Sequence, residues 1–303
     1  MNRMRVLVVG GAGMLGHKVW QLADARFETW ATVRTVTPAL RAIGLGNPRR
    51  TCVGVDAFHF ETVEAALDRA RPDAVINCVG IIKQLAGAKD PVQSITINAL
   101  LPHLLARACA ARGARLVQIS TDCVFDGSRG GRVEGEVPDA PDLYGRSKAL
   151  GEVTGSGCLT LRTSIIGREL HGSSGLVEWF LGRRGLTADG YRGAVFSGFT
   201  TTELAGIILD VLERHHGLEG LYHVSAAAID KLSLLDLLDA AFAARVTLNP
   251  RDQPRIDRSL DSARFRAATG YVPPSWEAMV ARMAADPTRY EDVRSLSGHE
   301  ESK

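Results

Sequence analysis

The sequence predicts an α/β fold, in which a doubly wound parallel sheet is joined to a smaller C-terminal lobe. Short apolar runs alternate with amphipathic helical segments through the first half of the chain. A glycine-rich loop connects the first apolar run to the first helical segment. Because repeated strand–helix–strand units build a parallel sheet with helices on both faces, this order favours a doubly wound architecture. After residue 166 the pattern loosens into a glycine-rich stretch with isolated aromatic residues, which indicates a second, less regular unit.

Each strand is predicted from a short apolar run, and each helix from apolar residues spaced three or four apart. The expected strands cover residues 5–9, 27–33, 51–55, 74–79, 116–120 and 159–163, with a returning strand near 220–226. The expected helices cover residues 14–22, 61–70, 95–111, 144–152, 203–213, 233–244 and 276–283, and Pro102 is expected to kink the third. We therefore expect a sheet domain at 1–166, a second lobe at 167–290 and a flexible tail at 291–303.

Composition and charge narrow the class of protein. The 303 residues are 45% hydrophobic and 23% charged, with a net charge of +2, which is ordinary for a globular chain and implies neither a nucleic-acid nor a membrane partner. No apolar run approaches the roughly 20 residues that span a bilayer, and the N-terminus has the pattern of a first strand. The five cysteines have no metal-binding or CxxC spacing. This pattern predicts buried thiols, a reducing cytoplasm and no metal site.

The glycine loop has the spacing GxxGxxG and lies between a predicted strand and a predicted helix. Glycines let the backbone turn tightly and approach a pyrophosphate, which then lies at the N-terminus of the helix. The expected domain is therefore of the dinucleotide-binding Rossmann type. The residues predicted to bind the cofactor in this loop are Gly10, Gly13, Met14, Leu15 and Gly16.

The choice of cofactor is predicted from the end of the second strand. NAD-binding domains carry an acidic residue there, whereas this strand ends at Arg34, which can pair with a 2′-phosphate. NADPH is therefore favoured and NADH stays open, since Arg34 could also be a solvated surface residue. Asp56, which follows the third strand, could contact the adenine or only begin a turn.

Tyr144 and Lys148 stand four residues apart in a predicted helix and therefore project from one face. A lysine ammonium beside a phenol lowers the phenol pKa, which would make Tyr144 a usable proton donor near neutral pH. With a dinucleotide loop upstream, the simplest chemistry is hydride transfer to or from a carbonyl. Thr121 and Asp122 end the fifth strand, where a hydroxyl can hydrogen-bond a substrate carbonyl. Asn98, inside a long helix, could hold a water in a proton relay or be an exposed or capping residue.

These motifs, in this order and context, resemble the extended short-chain dehydrogenase/reductase superfamily, and within it the dTDP-4-dehydrorhamnose reductase type. The resemblance covers about residues 4 to 285. The matching pieces are residues 10–16, 73–77, 98, 120–127, 144–148 with 151–152, 161–164 and, in a permuted form, 254–261.

The resemblance implies a role for each active-site residue. Thr121 would hold a 4-keto oxygen, and Tyr144 would donate a proton to it. Lys148 would bridge the cofactor ribose and lower the tyrosine pKa, and Asn98 would support the proton relay. The implied reaction is the NADPH-dependent reduction of the 4-keto group of a nucleotide-linked deoxysugar.

The resemblance also implies that the C-terminal lobe binds the nucleotide-sugar. The candidate substrate contacts, besides Thr121 and Asp122, are Phe196, Thr200, Thr201, Arg255 and Arg258. The two arginines could neutralise a diphosphate or form a surface basic cluster. The chain departs from the family pattern at 165–167 and at 80–84, both in the expected substrate region. A UDP-linked N-acetyl 4-keto-hexose is therefore as compatible as the dTDP sugar.

Two other functions stay open. A sugar-nucleotide epimerase or dehydratase would hold NAD tightly and recycle it, and Asp122 is compatible with that chemistry. A non-catalytic regulatory subunit would keep the fold and the cofactor pocket without turnover. The sequence does not fix the oligomeric state, and a homodimer is an open alternative.

Overall fold

The computed structural model describes residues 3–83 and 89–297. Its strands are β1 (Arg5–Val9), β2 (Glu28–Val33), β3 (Thr51–Val53), β4 (Ala74–Asn77), β5 (Arg115–Thr121), β6 (Cys158–Thr163), β7 (Ile165–Ile166), β8 (Thr187–Tyr191), β9 (Ala194–Phe196), β10 (Phe199–Thr200), β11 (Gly220–His223), β12 (Ile229–Asp230), β13 (Thr247–Arg251) and β14 (Ile256–Asp257). Its α-helices are α1 (Gly16–Ala23), α2 (Pro38–Ala42), α3 (Phe60–Ala70), α4 (Pro91–Ser94), α5 (Leu101–Ala110), α6 (Leu143–Leu150), α7 (Leu176–Leu181), α8 (Thr201–Arg214), α9 (Lys231–Phe242), α10 (Ala263–Thr269), α11 (Trp276–Ala284) and α12 (Tyr290–Ser297).

A seven-stranded sheet with the order β11-β6-β5-β4-β1-β2-β3 forms the centre of the molecule. All six strand pairs are parallel, so every strand ends at the same edge. The chain builds outward from β1 to β3, returns to β4 on the other side of β1 and continues to the opposite edge. This order confirms the predicted doubly wound sheet and puts its switch point between β1 and β4.

The first strand shows how the sequence builds two cores. Val6 and Val8 belong to one apolar cluster, and Leu7 and Val9 belong to the other. This division follows from the two-residue period of a strand, which sends alternate side chains to opposite faces. Helices α1 and α8 supply buried residues to the first cluster, and α3 and α5 supply them to the second.

The helix predicted at 95–111 begins earlier, at Pro91, and consists of three parts. After α4, residues Ile95–Leu100 form a π-helical segment, and α5 begins at Leu101. Pro102 is the second residue of α5 in this continuous helical run, so its missing N–H falls directly after the π-helical segment. π-helical segments occur frequently at functional sites, and this one contains Asn98.

The second half of the chain adds three small sheets and helices α7 and α9 to α11. Strands β7 and β10 pair, β9 lies between β12 and β14, and β8 pairs with β13. One apolar cluster is continuous from the large sheet into this lobe, since it contains Val8 of β1 as well as Phe180 of α7 and Leu235 of α9.

The predicted flexible tail at 291–303 is wrong over its first residues. Residues Tyr290–Ser297 form helix α12, and the side chains of Tyr290 and Val293 are buried in the main core. Their burial stabilises this helix, which the sequence analysis did not predict because most of the residues around them are polar. Residues 298–303 lie outside the described part of the chain. Within residues 3–83 and 89–297, no helix combines the length and apolar character needed to cross a membrane.

Candidate active site

The candidate site lies at the edge of the sheet where the strands end. The glycine loop follows β1, Thr121 is the last residue of β5, and α6 with Tyr144 and Lys148 packs beside β5. The switch point between β1 and β4 lies at the same edge, where doubly wound sheets bind their ligands.

The glycine loop is shaped for a tight turn on one side and for close approach on the other. Gly10 has a φ of +86°, a conformation that favours glycine. A Cβ at Gly16 would collide with the Gly10 carbonyl oxygen, so a glycine is needed there for the helix to pack on the loop. A Cβ at Gly13 would meet only that oxygen at 3.5 Å, an ordinary contact. The outer face of Gly13 is therefore open, and a pyrophosphate fits at this helix N-terminus.

Met14 and Leu15 contribute differently to this loop. Leu15 is buried in the main core, so only its backbone can face a ligand. Met14 is half-buried, and its sulfur lies near Gly175, where a Cβ would be 3.4 Å away. At Leu15, therefore, only the backbone N–H is available to contact the cofactor.

Arg34 and Asp56 lie beyond the ends of β2 and β3. Arg34 is exposed, and its carbonyl accepts a 3.1 Å hydrogen bond from Gly54. The Asp56 carboxylate accepts from the Phe58 N–H at 3.0 Å and lies 3.3 Å from Nδ1 of His59. Asp56 thus forms the turn into α3, as one of its two interpretations expected.

The hydroxyl groups of Thr121 and Tyr144 form the centre of the site. The Thr121 hydroxyl accepts from the Cys123 N–H at 3.1 Å and donates to Asp122 at 3.2 Å. It also opposes the increase in the Tyr144 pKa, which indicates that the two side chains are close. Asp122 is buried, and burial raises the pKa of its carboxyl to about 6 although Arg258 opposes this change. The site therefore combines two neutral hydroxyls with a carboxyl that titrates near neutral pH.

Burial acts on the Tyr144 pKa in the direction opposite to the effect expected from Lys148. Burial raises the pKa of the Tyr144 phenol, and the nearby carboxylates of Asp122 and Asp142 add to this increase. Lys148 has its own partner, since its Nζ donates to the Ile119 carbonyl at 2.7 Å. Burial also lowers the Lys148 pKa to about 8. Tyr144 is therefore a neutral phenol at physiological pH.

Glu152 is a residue beside the site to which the sequence analysis gave no role. Its carboxylate opposes the fall in the Lys148 pKa and accepts two 2.6 Å hydrogen bonds from Arg162. Ser120 donates to the same carboxylate at 2.7 Å. The predicted helix at 144–152 would put Lys148 and Glu152 on one face, but α6 ends at Leu150 and Glu152 follows its end.

Asn98 joins the loop after β4 to helix α6. Its Oδ1 accepts from the Ile81 N–H at 2.9 Å, and its Nδ2 donates to the Ile81 carbonyl at 3.0 Å and to Ser147 at 3.4 Å. Asn98 is buried, so the exposed or capping alternative is wrong. A Cβ at Gly80 would lie 3.5 Å from Asn98 Oδ1 and 3.8 Å from Lys148 Nζ, so both side chains lie beside Gly80.

Of the two lobe arginines, the structure brings Arg258 toward this group. Its Nε donates to the Phe125 carbonyl at 3.1 Å and its guanidinium to the Asp126 carbonyl at 3.2 Å. The charge of Arg258 opposes the increase in the Asp122 pKa, which indicates that the two side chains are close. Arg255 is exposed.

The other lobe candidates have structural partners. The Phe196 ring is buried against Trp276, with ring centroids 5.3 Å apart. Thr200 is the buried N-cap of α8 and accepts from the Glu203 N–H. Thr201 is buried against Gly167. These contacts give each of the three residues a structural role that does not require a substrate.

The departure from the family pattern at 80–84 is described only in part. Lys83 forms a 2.6 Å ion pair with Asp142, the N-cap of α6, and so ties the loop after β4 to the helix of Tyr144. Gln84 lies outside the described residues. Within the described ranges, no group of three or more His, Cys, Asp or Glu side chains is arranged to hold a metal ion.

Two of the curated relatives each match about half of the chain. Over 151 residues the chain is 34% identical to the dTDP-4-dehydrorhamnose reductase of Streptomyces griseus, which covers 50% of this chain and 44% of that protein. Over 148 residues it is 28% identical to methionine adenosyltransferase 2 subunit beta of Mus musculus, which covers 49% of this chain and 41% of the other. The match thus spans less than half the length of either relative.

A solved structure and a family match extend over most of the chain. The crystal structure of the Bacillus anthracis dTDP-4-dehydrorhamnose reductase in complex with NADP has a TM-score of 0.76 at 21% identity, covering 94% of this chain and 100% of that one. At this identity the likeness concerns the fold. Residues 4–288 match the family described as RmlD substrate binding domain. The chain therefore belongs to this family, as its predicted resemblance to dTDP-4-dehydrorhamnose reductases implied.

Proposed function

We propose that this chain is an NADPH-dependent reductase of the 4-keto group of a nucleotide-linked deoxysugar. The observation that carries the proposal is the grouping of the Thr121 hydroxyl, the Tyr144 phenol and the buried Lys148 at the edge of the sheet that holds the glycine loop. The Streptomyces griseus relative is a dTDP-4-dehydrorhamnose reductase, which supports the same type of substrate here.

The residues of the chain divide the reaction between them. The Thr121 hydroxyl orients the keto oxygen, and the phenol of Tyr144, kept neutral by burial, donates its proton to that oxygen. The ammonium of Lys148 is held by the Ile119 carbonyl, and its positive charge stabilises the phenolate that forms as Tyr144 loses its proton. Asn98 fixes the loop after β4 beside Lys148 and supports the proton relay. NADPH, when bound, supplies two electrons and one hydrogen to the keto carbon.

The glycine loop and Arg34 would hold the cofactor. The open face of Gly13 accommodates the pyrophosphate, and the exposed Arg34 guanidinium is free to pair with a 2′-phosphate. NADP in the related Bacillus anthracis structure is in line with this choice, and NADH is the weaker alternative.

The substrate contacts in the lobe belong to the same proposal. Arg258 lies close to Asp122 and can neutralise a diphosphate, whereas Arg255 is exposed and has less support as a substrate contact. Phe196 and Thr200 are the weakest of the candidate contacts because both are buried against partners of their own.

The test is turnover of the purified protein with NADPH and a panel of dTDP-, UDP- and GDP-linked 4-keto sugars. We expect one NADPH to be oxidised for each keto group reduced. A product formed without net consumption of NADPH would instead indicate an epimerase or dehydratase that recycles a bound nucleotide.

A second candidate is a non-catalytic regulatory subunit. The specific observation in its favour is the similarity to methionine adenosyltransferase 2 subunit beta. Retained NADPH binding without turnover of any sugar in the panel would favour this role. The intact group of Thr121, Tyr144 and Lys148 makes the reductase the better-supported candidate.

A further inference from the structure

The C-terminal strap, defined here as residues 286–297, packs against the helix that follows the glycine loop. Lys18 donates to Asp286 at 2.7 Å, and Gln21 donates to Thr288 at 3.2 Å. Both members of the Lys18–Asp286 ion pair are almost fully buried. The strap therefore contacts helix α1 along its first two turns.

One contact of the strap leads directly to the glycine loop. His17, completely buried, lies with Nδ1 2.8 Å from the Gly13 carbonyl oxygen and with Nε2 2.9 Å from the Tyr290 hydroxyl. A carbonyl oxygen can only accept, so Nδ1 must carry the proton. In a neutral imidazole Nε2 is then an acceptor, and the Tyr290 hydroxyl donates to it. The tyrosine thus selects the tautomer that holds Gly13.

The charge state of His17 agrees with this chain of hydrogen bonds. Burial lowers the His17 pKa to about 4, so the ring is neutral at physiological pH. The Tyr290 ring is itself fixed by Arg168, whose guanidinium lies 4.7 Å from the ring centroid and donates to the buried Glu178 at 2.6 Å. The hydrogen bonds therefore start from a rigid anchor in the lobe.

The peptide at Gly13 is the part of the loop that faces outward. A Cβ there would meet only ordinary contact, so crowding inside the protein does not fix its position. The Gly13 carbonyl also accepts from the His17 N–H at 3.0 Å. The His17 side chain adds a second bond to the same oxygen, and this bond orients the Gly13 peptide and the neighbouring N–H groups of the helix N-terminus.

We propose that His17 is a positioning residue for the dinucleotide and that the C-terminal strap, through the Tyr290 hydroxyl, sets the affinity of the glycine loop for it. This inference rests on the cofactor binding proposed above. The residues of the C-terminal strap lie almost the whole chain length away from the loop in sequence. The inference gives them a role in a site that they do not touch.

Tyr290→Phe is the first test because it removes one hydroxyl and keeps the ring. We expect the Kd for NADPH to rise about 3- to 10-fold, the effect of one lost hydrogen bond. Under turnover the KM for NADPH should rise with kcat unchanged, a separation that a general loss of folded protein would not produce. Tyr271→Phe is the matched control, since its hydroxyl donates to Glu203 at 2.7 Å elsewhere in the lobe.

Two further variants separate loop positioning from folding. His17→Asn keeps a side-chain N–H near the position of Nδ1, so it should bind NADPH more tightly than His17→Ala does. Hydrogen exchange of the peptide containing Gly13 and His17 should be faster in Tyr290→Phe than in Tyr271→Phe, with or without NADPH.

The outcomes distinguish this inference from the proposed function. An unchanged Kd in Tyr290→Phe, or equal changes in Tyr290→Phe and Tyr271→Phe, would overturn it. A wild-type protein that binds neither NADPH nor NADH would overturn the proposed function and, with it, the role in cofactor affinity. Faster exchange at the loop in that case would still leave His17 as the residue that orders the loop.

Discussion

Tyr144 and Lys148 both lie where burial disfavours their charged forms. Burial raises the pKa of the phenol and lowers that of the ammonium to about 8. At neutral pH the phenol holds its proton, which is the form that a proton donor needs. Lys148 remains mostly charged, and its ammonium favours the phenolate that forms when the proton leaves. The raised tyrosine pKa therefore suits reduction of a carbonyl better than oxidation of an alcohol.

Replacing Tyr144 tests this assignment. Tyr144→Phe should lower turnover by about 10²- to 10⁴-fold, the usual effect of a positioned acid–base group, and should leave the Kd for NADPH nearly unchanged. Steady-state kinetics and a binding titration measure the two quantities. Near-normal turnover in this variant would remove Tyr144 from the mechanism.

Arg34 tests the choice of cofactor. If its guanidinium pairs with the 2′-phosphate, Arg34→Ala should weaken NADPH binding by about 2 kcal/mol and leave NADH binding almost unaffected. Arg107→Ala is a suitable control, since this arginine is also exposed and lies on α5. Equal losses for both nucleotides would show that Arg34 is not the selector.

His17 makes stability depend on pH. Its pKa is about 4 in the folded chain and 6.5 in a free histidine, so between these values the unfolded chain binds more protons. Stability contributed at this position is therefore complete above pH 6.5 and is lost as the pH falls toward 4. Of the groups facing the ring, Lys18 and His171 oppose protonation and Asp286 favours it.

Urea unfolding of the wild type and of His17→Asn at pH 7 and pH 5 measures this dependence. The advantage of the wild type over the variant should fall by about 2 kcal/mol between the two pH values. A constant difference between the two proteins would mean that His17 does not titrate as its burial requires.

At the scale of elements, the β1–loop–α1 unit separates two uses of glycine. Gly16 is needed inside the protein, because a Cβ there would collide with the Gly10 carbonyl. Gly13 faces outward, where a Cβ has room. The same residue type thus serves packing at one position and ligand approach at the other.

Gly16→Ala should therefore mainly reduce stability, whereas Gly13→Ala should mainly weaken NADPH binding. Gly16→Ala should lower the free energy of unfolding by about 3 kcal/mol or more, as backbone collisions do. Gly13→Ala should change stability by less than about 1 kcal/mol and raise the Kd for NADPH at least tenfold. Thermal unfolding and binding titration check both, and a Gly13→Ala protein with wild-type affinity would contradict the proposed pyrophosphate site.

At the scale of the whole molecule, the large sheet was predictable because buried parallel strands are continuous apolar runs. Strand β6 was expected at 159–163 and is Cys158–Thr163. The lobe was not predictable in detail, since strands such as Phe199–Thr200 are too short to have a period. Within the site, Thr121 and Tyr144 were found from motifs, whereas the contact of His17 with Tyr290 joins residues 273 positions apart and leaves no local pattern.

The continuous core also predicts how the molecule unfolds. Buried residues of the sheet, the lobe and α12 belong to one apolar cluster, so neither half can open without exposing the other. We expect a single cooperative transition in calorimetry, with the same midpoint by circular dichroism and by tryptophan fluorescence. Two separated transitions would mean that the lobe is an independent folding unit.

The 273 positions between His17 and Tyr290 also imply a delay between the synthesis of the two residues. At the usual pace of ribosomal synthesis, about 5–20 residues per second, Tyr290 is added roughly 14 to 55 s after His17. Throughout that interval the nascent chain carries a glycine loop whose final anchor does not yet exist. A chain released early, before residue 290, would have its sheet strands and its catalytic motifs but a slack dinucleotide loop. Full affinity for the cofactor would then be reached only after translation has passed Tyr290.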